Sequence, residues 1–249
     1  MKKLENQVRP STFLFLLLFM VFGYPESKAQ TLGTSVVTSD LEGWFFAGIR
    51  LKIHKKWTIE LKEEFRFKKN ISELDQYFTN LDVKYAPIKF LQLGAGFRFT
   101  QMEEGEGTYS PHYRLHFDVA YRHKISRLSF KYRLRYQFRD EIGKTTTEGD
   151  YLKHRFRLRA GVGYNIKKIP LEPQLSVELF NQLEKYQLPV FDKLRFTASL
   201  AYDFKKFGKV KLFYRVEQEL FVNYPKTTGV LGLGYIYTIK IKKKDKYEK

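Results

Sequence analysis

The stretch 128–166, LSFKYRLRYQF–RDEIGKTTTEGD–YLKHRFRLRAGVGYNI, decides the fold. In its first limb Leu128, Phe130, Tyr132, Leu134, Tyr136 and Phe138 alternate with Ser129, Lys131, Arg133, Arg135 and Gln137. In its second limb Phe156, Leu158, Ala160, Val162 and Tyr164 alternate with Arg155, Arg157, Arg159, Gly161 and Gly163. Successive side chains of a strand point to opposite faces. A period of two over about ten residues therefore makes a hairpin with one apolar and one basic face.

The same beat runs outward in both directions. Apolar and polar residues alternate over 45–53, 57–67, 77–85, 91–99 and 113–121 before the hairpin, and over 171–179, 194–204, 210–216 and 231–241 after it. Only Glu63 interrupts the apolar phase of the second of these segments. That gives eleven strands and no helix. Turns of about three to five residues alternate with loops of about seven to twelve. Such a beat suits an up-and-down barrel with two unlike rims better than a Greek-key sandwich. Single-chain bacterial barrels of this kind close with even strand numbers, and eleven strands leave the array's two ends on opposite rims. A twelfth strand is therefore expected from 31–40, with ten strands as the alternative. The fold expected is all-β: a closed antiparallel up-and-down transmembrane β-barrel.

Composition bounds the rest. The chain has 249 residues, is 17% aromatic and 29% charged, and carries a formal charge of +18. So aromatic a chain does not read as disordered. Its charge alone points to nucleic acid or anionic surfaces. The N-terminus argues against nucleic acid. Lys2, Lys3 and Arg9 precede the apolar run FLFLLLFMVF at 13–22, then come Pro25 and Ser27-Lys28-Ala29. This is the layout of a secretory signal peptide, and ten apolar residues are too few to span a bilayer as a helix. Cleavage after Ala29 leaves a barrel over 30–241 and a basic periplasmic tail over 242–249. With no cysteine, the chain has no disulfide framework and no thiolate metal site.

Alternation alone fits both a soluble barrel, apolar inside, and a membrane barrel, apolar outside. Strands of about nine to eleven residues match a tilted membrane crossing. A twelve-stranded barrel is too wide for one layer of apolar side chains to fill. Aromatic residues recur near the ends of the apolar face: Trp57, Tyr85, Tyr121, Tyr164, Tyr202 and Tyr237 toward one rim, and Phe67, Tyr77, Phe99, Tyr113 and Phe138 toward the other. Together these features place the chain in the outer membrane, with lipid as its first partner.

Short motifs carry a resemblance. They are Asp40-Leu41-Glu42-Gly43-Trp44, Trp57 with Glu60 and Glu64-Phe65-Arg66, the Arg133/Arg135 and Arg155/Arg157 repeats, Glu178 and Tyr214. Across most of 38–241 the chain resembles an uncharacterised domain-of-unknown-function family of small outer-membrane β-barrels from Gram-negative bacteria. The resemblance implies location and fold, and brings no activity with it. Gly234-x-x-Tyr237-x-Ile239 is similar to the terminal signal read by the barrel-assembly machinery, here followed by residues 240–249.

With the polar face inward, a basic ladder forms from Arg133, Arg135, Arg155, Arg157, Arg159, Arg195 and Arg215. The inward carboxylates include Glu60, Glu64, Asp82, Asp118, Glu172 and Glu178. Like charges facing each other across paired strands cost up to about 1 kcal/mol per pair, so they call for neutralisation. In one reading Glu60, Glu64, Glu172 and Glu178 reach across and plug the interior with ion pairs. In another the interior is a narrow anion-preferring pore for small anions or acidic oligosaccharides. A third is a rim-sited hydrolase built on His112, His116, His154, Asp118 and Ser110. No Ser/His/Asp motif supports it, and His112 and His116 stand roughly 13 Å apart along a strand, too far to share a metal ion. The expectation is a barrel without catalysis, cofactor or metal. The acidic run 103–106 reads as a solvated loop.

Overall fold

Every strand carries backbone N–H and C=O groups along both edges that need partners, and the chain supplies them by closing on itself. A computed structural model describes residues 39–54, 56–105, 107–145, 152–183 and 190–241. The strands are β1 (Ser39–Ile53), β2 (Trp57–Lys68), β3 (Glu73–Tyr85), β4 (Leu91–Gly105), β5 (Thr108–Ile125), β6 (Leu128–Glu141), β7 (Lys153–Tyr164), β8 (Leu171–Leu183), β9 (Val190–Asp203), β10 (Lys209–Glu219) and β11 (Thr227–Ile241). Each pairs antiparallel with its sequence neighbour, and β1 closes the barrel against β11.

That closure corrects the expected strand number. The barrel has eleven strands, neither twelve nor ten. Strands of a meander alternate in direction, so the first and last of an odd set run the same way. Accordingly β1 and β11 pair in parallel, in continuous register from Ser39↔Thr227 to Ile53↔Ile241. This seam occupies both edges that a twelfth strand would need. Most of the twelfth strand expected from 31–40 lies outside the described residues, while Ser39 and Asp40 begin β1. The expected signal peptide and basic tail also lie outside them.

Five connections join strands at the near rim, where β1 and β11 start, and five at the far rim, where both end. The expected contrast between long and short connections does not hold. Strands β4 and β5 run on until only residues 106 and 107 separate them, and 69–72 suffice between β2 and β3. Residues read as loop extend the ladder instead. The extension costs regularity: the register shifts in the β2–β3, β4–β5 and β8–β9 pairs all fall toward the near rim.

The DLEGW motif has a structural role at this rim. Lys69, Asn70 and Ile71 are all left-handed, with φ of 51°, 57° and 66°. The Asp40 carboxylate accepts the backbone N–H groups of Lys69 (3.3 Å) and Asn70 (3.1 Å), and Ile71 N–H donates to the Leu41 carbonyl (3.2 Å). A Cβ on Gly43 would lie 2.6 Å from Ile71 Cγ2, so only glycine leaves that side chain room.

The two faces of the barrel are sorted. Leucine, isoleucine and phenylalanine from every strand but β8 are exposed on the outer face, among them Ile49, Leu61, Leu81, Phe97, Phe117, Leu134, Leu158, Phe196, Leu212 and Leu233, while the outward leucines of β8 are half-buried. Side chains buried inside are mostly polar or charged, including Glu60, Glu64, Arg98, His116, Arg135, Arg157, Glu178 and Glu217. A small apolar cluster of Trp44, Phe213 and Val230 also lies within.

Candidate functional site

The β6–β7 ladder sets Arg133 opposite Arg159 and Arg135 opposite Arg157. Carboxylates from the flanking strands relieve this like-charge facing. Asp118 on β5 takes Arg135 through two bonds, Nε to Oδ1 at 2.6 Å and Nη2 to Oδ2 at 2.7 Å. Glu178 on β8 is the hub: it lies 2.6 Å from Arg133, 3.0 Å from Arg157 and 3.4 Å from Arg195. One carboxylate among three guanidiniums leaves the group net positive. Arg195 has a second partner in Glu217, at 2.6 Å, and Arg155 reaches Asp192 and Gln182.

The other carboxylates serve their own neighbours. Glu60 holds Arg50 at 2.5 Å, and Glu64 holds Lys62 (2.6 Å) and Arg66 (2.8 Å). Asp82 takes His116 Nε2 at 2.9 Å and the Asn80 amide. Glu172 does not reach across to the ladder; it pairs with Lys209 at 2.8 Å toward the far rim.

Aromatic rings join the carboxylates in holding the arginines. Trp44, Phe78, Phe180 and Phe213 point inward and are buried. Guanidinium carbons lie over them: Arg66 at 3.5 Å from the Trp44 centroid, Arg98 at 3.4 Å from Phe78, Arg157 at 4.5 Å from Phe180 and Arg215 at 4.2 Å from Phe213. Stacking stabilises a cation without neutralising it. Arg215 has no carboxylate partner among the described residues. Nε and Nη2 of Arg114 are buried without a hydrogen-bond partner. Glycines make room for the rings: a Cβ on Gly232 would sit 1.9 Å from Phe213 Cζ, and one on Gly234 would sit 2.0 Å from Phe46 Cζ.

What remains open is polar and basic. A cavity of about 580 Å³ extends inward from the near rim, lined by seventeen lysines and arginines against eight aspartates and glutamates. A second, of about 530 Å³, lies toward the far rim beside Ser126, Arg127 and Asn165. Of the sequence-predicted residues, Arg133, Arg135, Arg155, Arg157, Arg159, Arg195, Arg215, Glu60, Glu64, Asp82, Asp118 and Glu178 line the first cavity. Glu172 lines the second.

The histidines are dispersed. His116 is with Asp82, His154 Nδ1 is 2.7 Å from the Tyr136 hydroxyl, and His112 Nε2 is 3.0 Å from Ser110 Oγ. Ser110 donates its hydrogen to Glu104 at 2.7 Å, a bond that holds the Glu104 carboxyl below its usual pKa. Glu104, His112 and Glu141 offer three ligand atoms within 4.8 Å of one another at the near rim. The Lys144 ammonium lies on both carboxylates, 2.7 Å from Glu141 and 3.5 Å from Glu104, and the Glu141 contact raises its pKa. That trio is thus served by a cation of the chain's own.

Sequence reading missed the inward aromatics Phe46, Phe180 and Phe213. Their one signal was a large apolar residue standing in the polar phase of its strand, as Phe213 does between Lys211 and Arg215. It also missed Glu104 beside His112, which depends on a β4 strand longer than its apolar pattern.

No curated protein matches the sequence. The model of DUF2490, a family of proteins of unknown function, matches residues 41–226, from the start of β1 to the connection before β11. The chain belongs to that family.

Proposed function

We propose that this chain is exported through a signal peptide at 1–29, inserts into the outer membrane by its apolar outer face, and acts there as a narrow anion-preferring pore. The observation that carries the reading is the inversion of faces, with leucines and phenylalanines outward and a basic cavity inside. A soluble barrel buries the first set and exposes the second. Aromatic contacts at both ends of the outer face add support. Trp57–Tyr85 (4.6 Å) and Tyr202–Phe204 (4.5 Å) lie toward the far rim, and Phe45–Phe67 (5.8 Å) and Phe65–Tyr77 (6.2 Å) toward the near rim. Tyrosine and tryptophan rings suit the headgroup level of a bilayer. On this reading its partners are outer-membrane lipids, the assembly machinery during insertion, and small anions or acidic oligosaccharides inside. No nucleic acid is among them.

Basic side chains lining a water-filled path favour anions over cations. Purified protein in a planar bilayer, under a potassium chloride gradient, is expected to give discrete current steps with a reversal potential on the chloride side. Heat-modifiable migration of the outer-membrane fraction tests closure and location together. Cation preference, or recovery of the protein from the soluble fraction without detergent, overturns the reading.

The Glu178 hub favours a second reading, a structural barrel shut by ion pairs. It predicts a heat-modifiable outer-membrane protein that gives no current steps. We assign no catalysis to the rim. A serine nucleophile needs its proton drawn toward a strong enough base, and the Glu104 carboxylate that accepts from Ser110 is held below its usual pKa by that bond and by Lys144.

A further inference from the structure

Lys131, Arg133, Arg159 and Lys211 are the residues common to the walls of both interior cavities. All four are cations. They come from β6, β7 and β10, so the group reaches across the barrel from neighbouring strands to one three strands away.

Their compensation is thin. Arg133 alone meets a carboxylate, Glu178, and its Nε is buried without a partner. Arg159 donates to the neutral Ser176 hydroxyl at 2.9 Å. Lys131 and Lys211 have neither ion pair nor hydrogen bond among the described residues, and Lys131 is exposed to the cavity. Gly161 lies opposite Lys131 on β7, so no side chain from that position fills the space between the chambers. Four cations in one enclosed neck repel one another unless an anion joins them.

We propose that this neck is a binding site for multiply charged oxyanions of the phosphate class, and the station that selects what passes between the chambers. Two ammonium groups supply rotatable point charges, and two guanidiniums supply planar forks that match phosphate oxygens. A monovalent halide satisfies less of this charge than a phosphate does. The proposal rests on the anion-pore reading for its selecting role, but the binding site stands apart from conduction.

The experiment uses the full folded chain, with inorganic phosphate and pyrophosphate as probes against chloride. In planar bilayers, millimolar pyrophosphate is expected to interrupt the chloride current. In detergent, it is expected to raise the temperature of the heat-modifiable transition. The double variant Lys131→Gln/Lys211→Gln is expected to weaken both effects at least tenfold, and Lys131→Arg/Lys211→Arg to keep them. Retained heat-modifiability shows that each variant is closed. Chloride current with no pyrophosphate effect overturns the neck site and leaves the pore. A transition raised by pyrophosphate in a protein that never conducts overturns the pore and leaves the site. A pyrophosphate effect undiminished in the glutamine variant overturns the neck as its location.

Discussion

Glu178 shows how a single side chain can govern a polar interior. It is 3% exposed and shared by Arg133, Arg157 and Arg195. Removing one partner of a buried ion pair costs about 3–5 kcal/mol, because the opposite charge stays buried. Glu178→Gln is expected to lower unfolding stability in lipid vesicles by that order, measured by urea titration of the heat-modifiable form. Glu172→Gln removes a half-exposed partner of Lys209 and is expected to cost under about 1 kcal/mol. Equal losses in the two variants would contradict the hub. At this scale much was legible in advance: residues in the polar phase line the interior because the strand period admits only two faces. What stayed hidden was partner choice. Glu172 and Glu178 share a strand and a phase, and only the register of β8 against β7 and β9 puts Glu178 among arginines and Glu172 near the rim. The inward aromatics were hidden for another reason, since an isolated phenylalanine in a polar phase looks like noise until an arginine is seen stacked on it.

The seam between β1 and β11 is the element with least slack. Gly234 stands in register with Phe46, and Gly232 with Trp44, while the Phe213 ring leans over Gly232 from β10. Any side chain at these glycines meets an aromatic ring already in place. Gly234→Val is expected to abolish the heat-modifiable form, and Phe46→Ala in the same chain to restore it at least in part. Failure of that rescue would mean that the glycine serves the backbone instead of the ring. Eleven strands were countable from alternation alone. Closure was expected too, but not which strands would meet in it, because a period of two says which way side chains point and nothing about which edges meet. The evenness common among bacterial barrels therefore outweighed the count, and the parallel pair went unforeseen.

For the molecule as a whole, the rims are set by strand direction and not by connection length. The ends of β2, β4, β6, β8 and β10 and the starts of β3, β5, β7, β9 and β11 share one rim, whatever the number of residues between them. With no native cysteine, single introduced thiols report unambiguously. On the membrane reading, Ile142→Cys at the near rim is expected to react with an impermeant maleimide on intact cells. Lys206→Cys at the far rim is expected to react only after the outer membrane is opened. Equal labelling of both in intact cells would contradict a spanning barrel.

The odd strand count has a consequence for anyone who fuses a reporter to this barrel. Ser39 opens at one mouth and Ile241 leaves at the other, because the strands of the seam point the same way. Complementary fragments of a split fluorescent protein, one joined directly ahead of Ser39 and one directly after Ile241, would stay dark within a single molecule. In a barrel with an even number of strands, the same two fragments would glow.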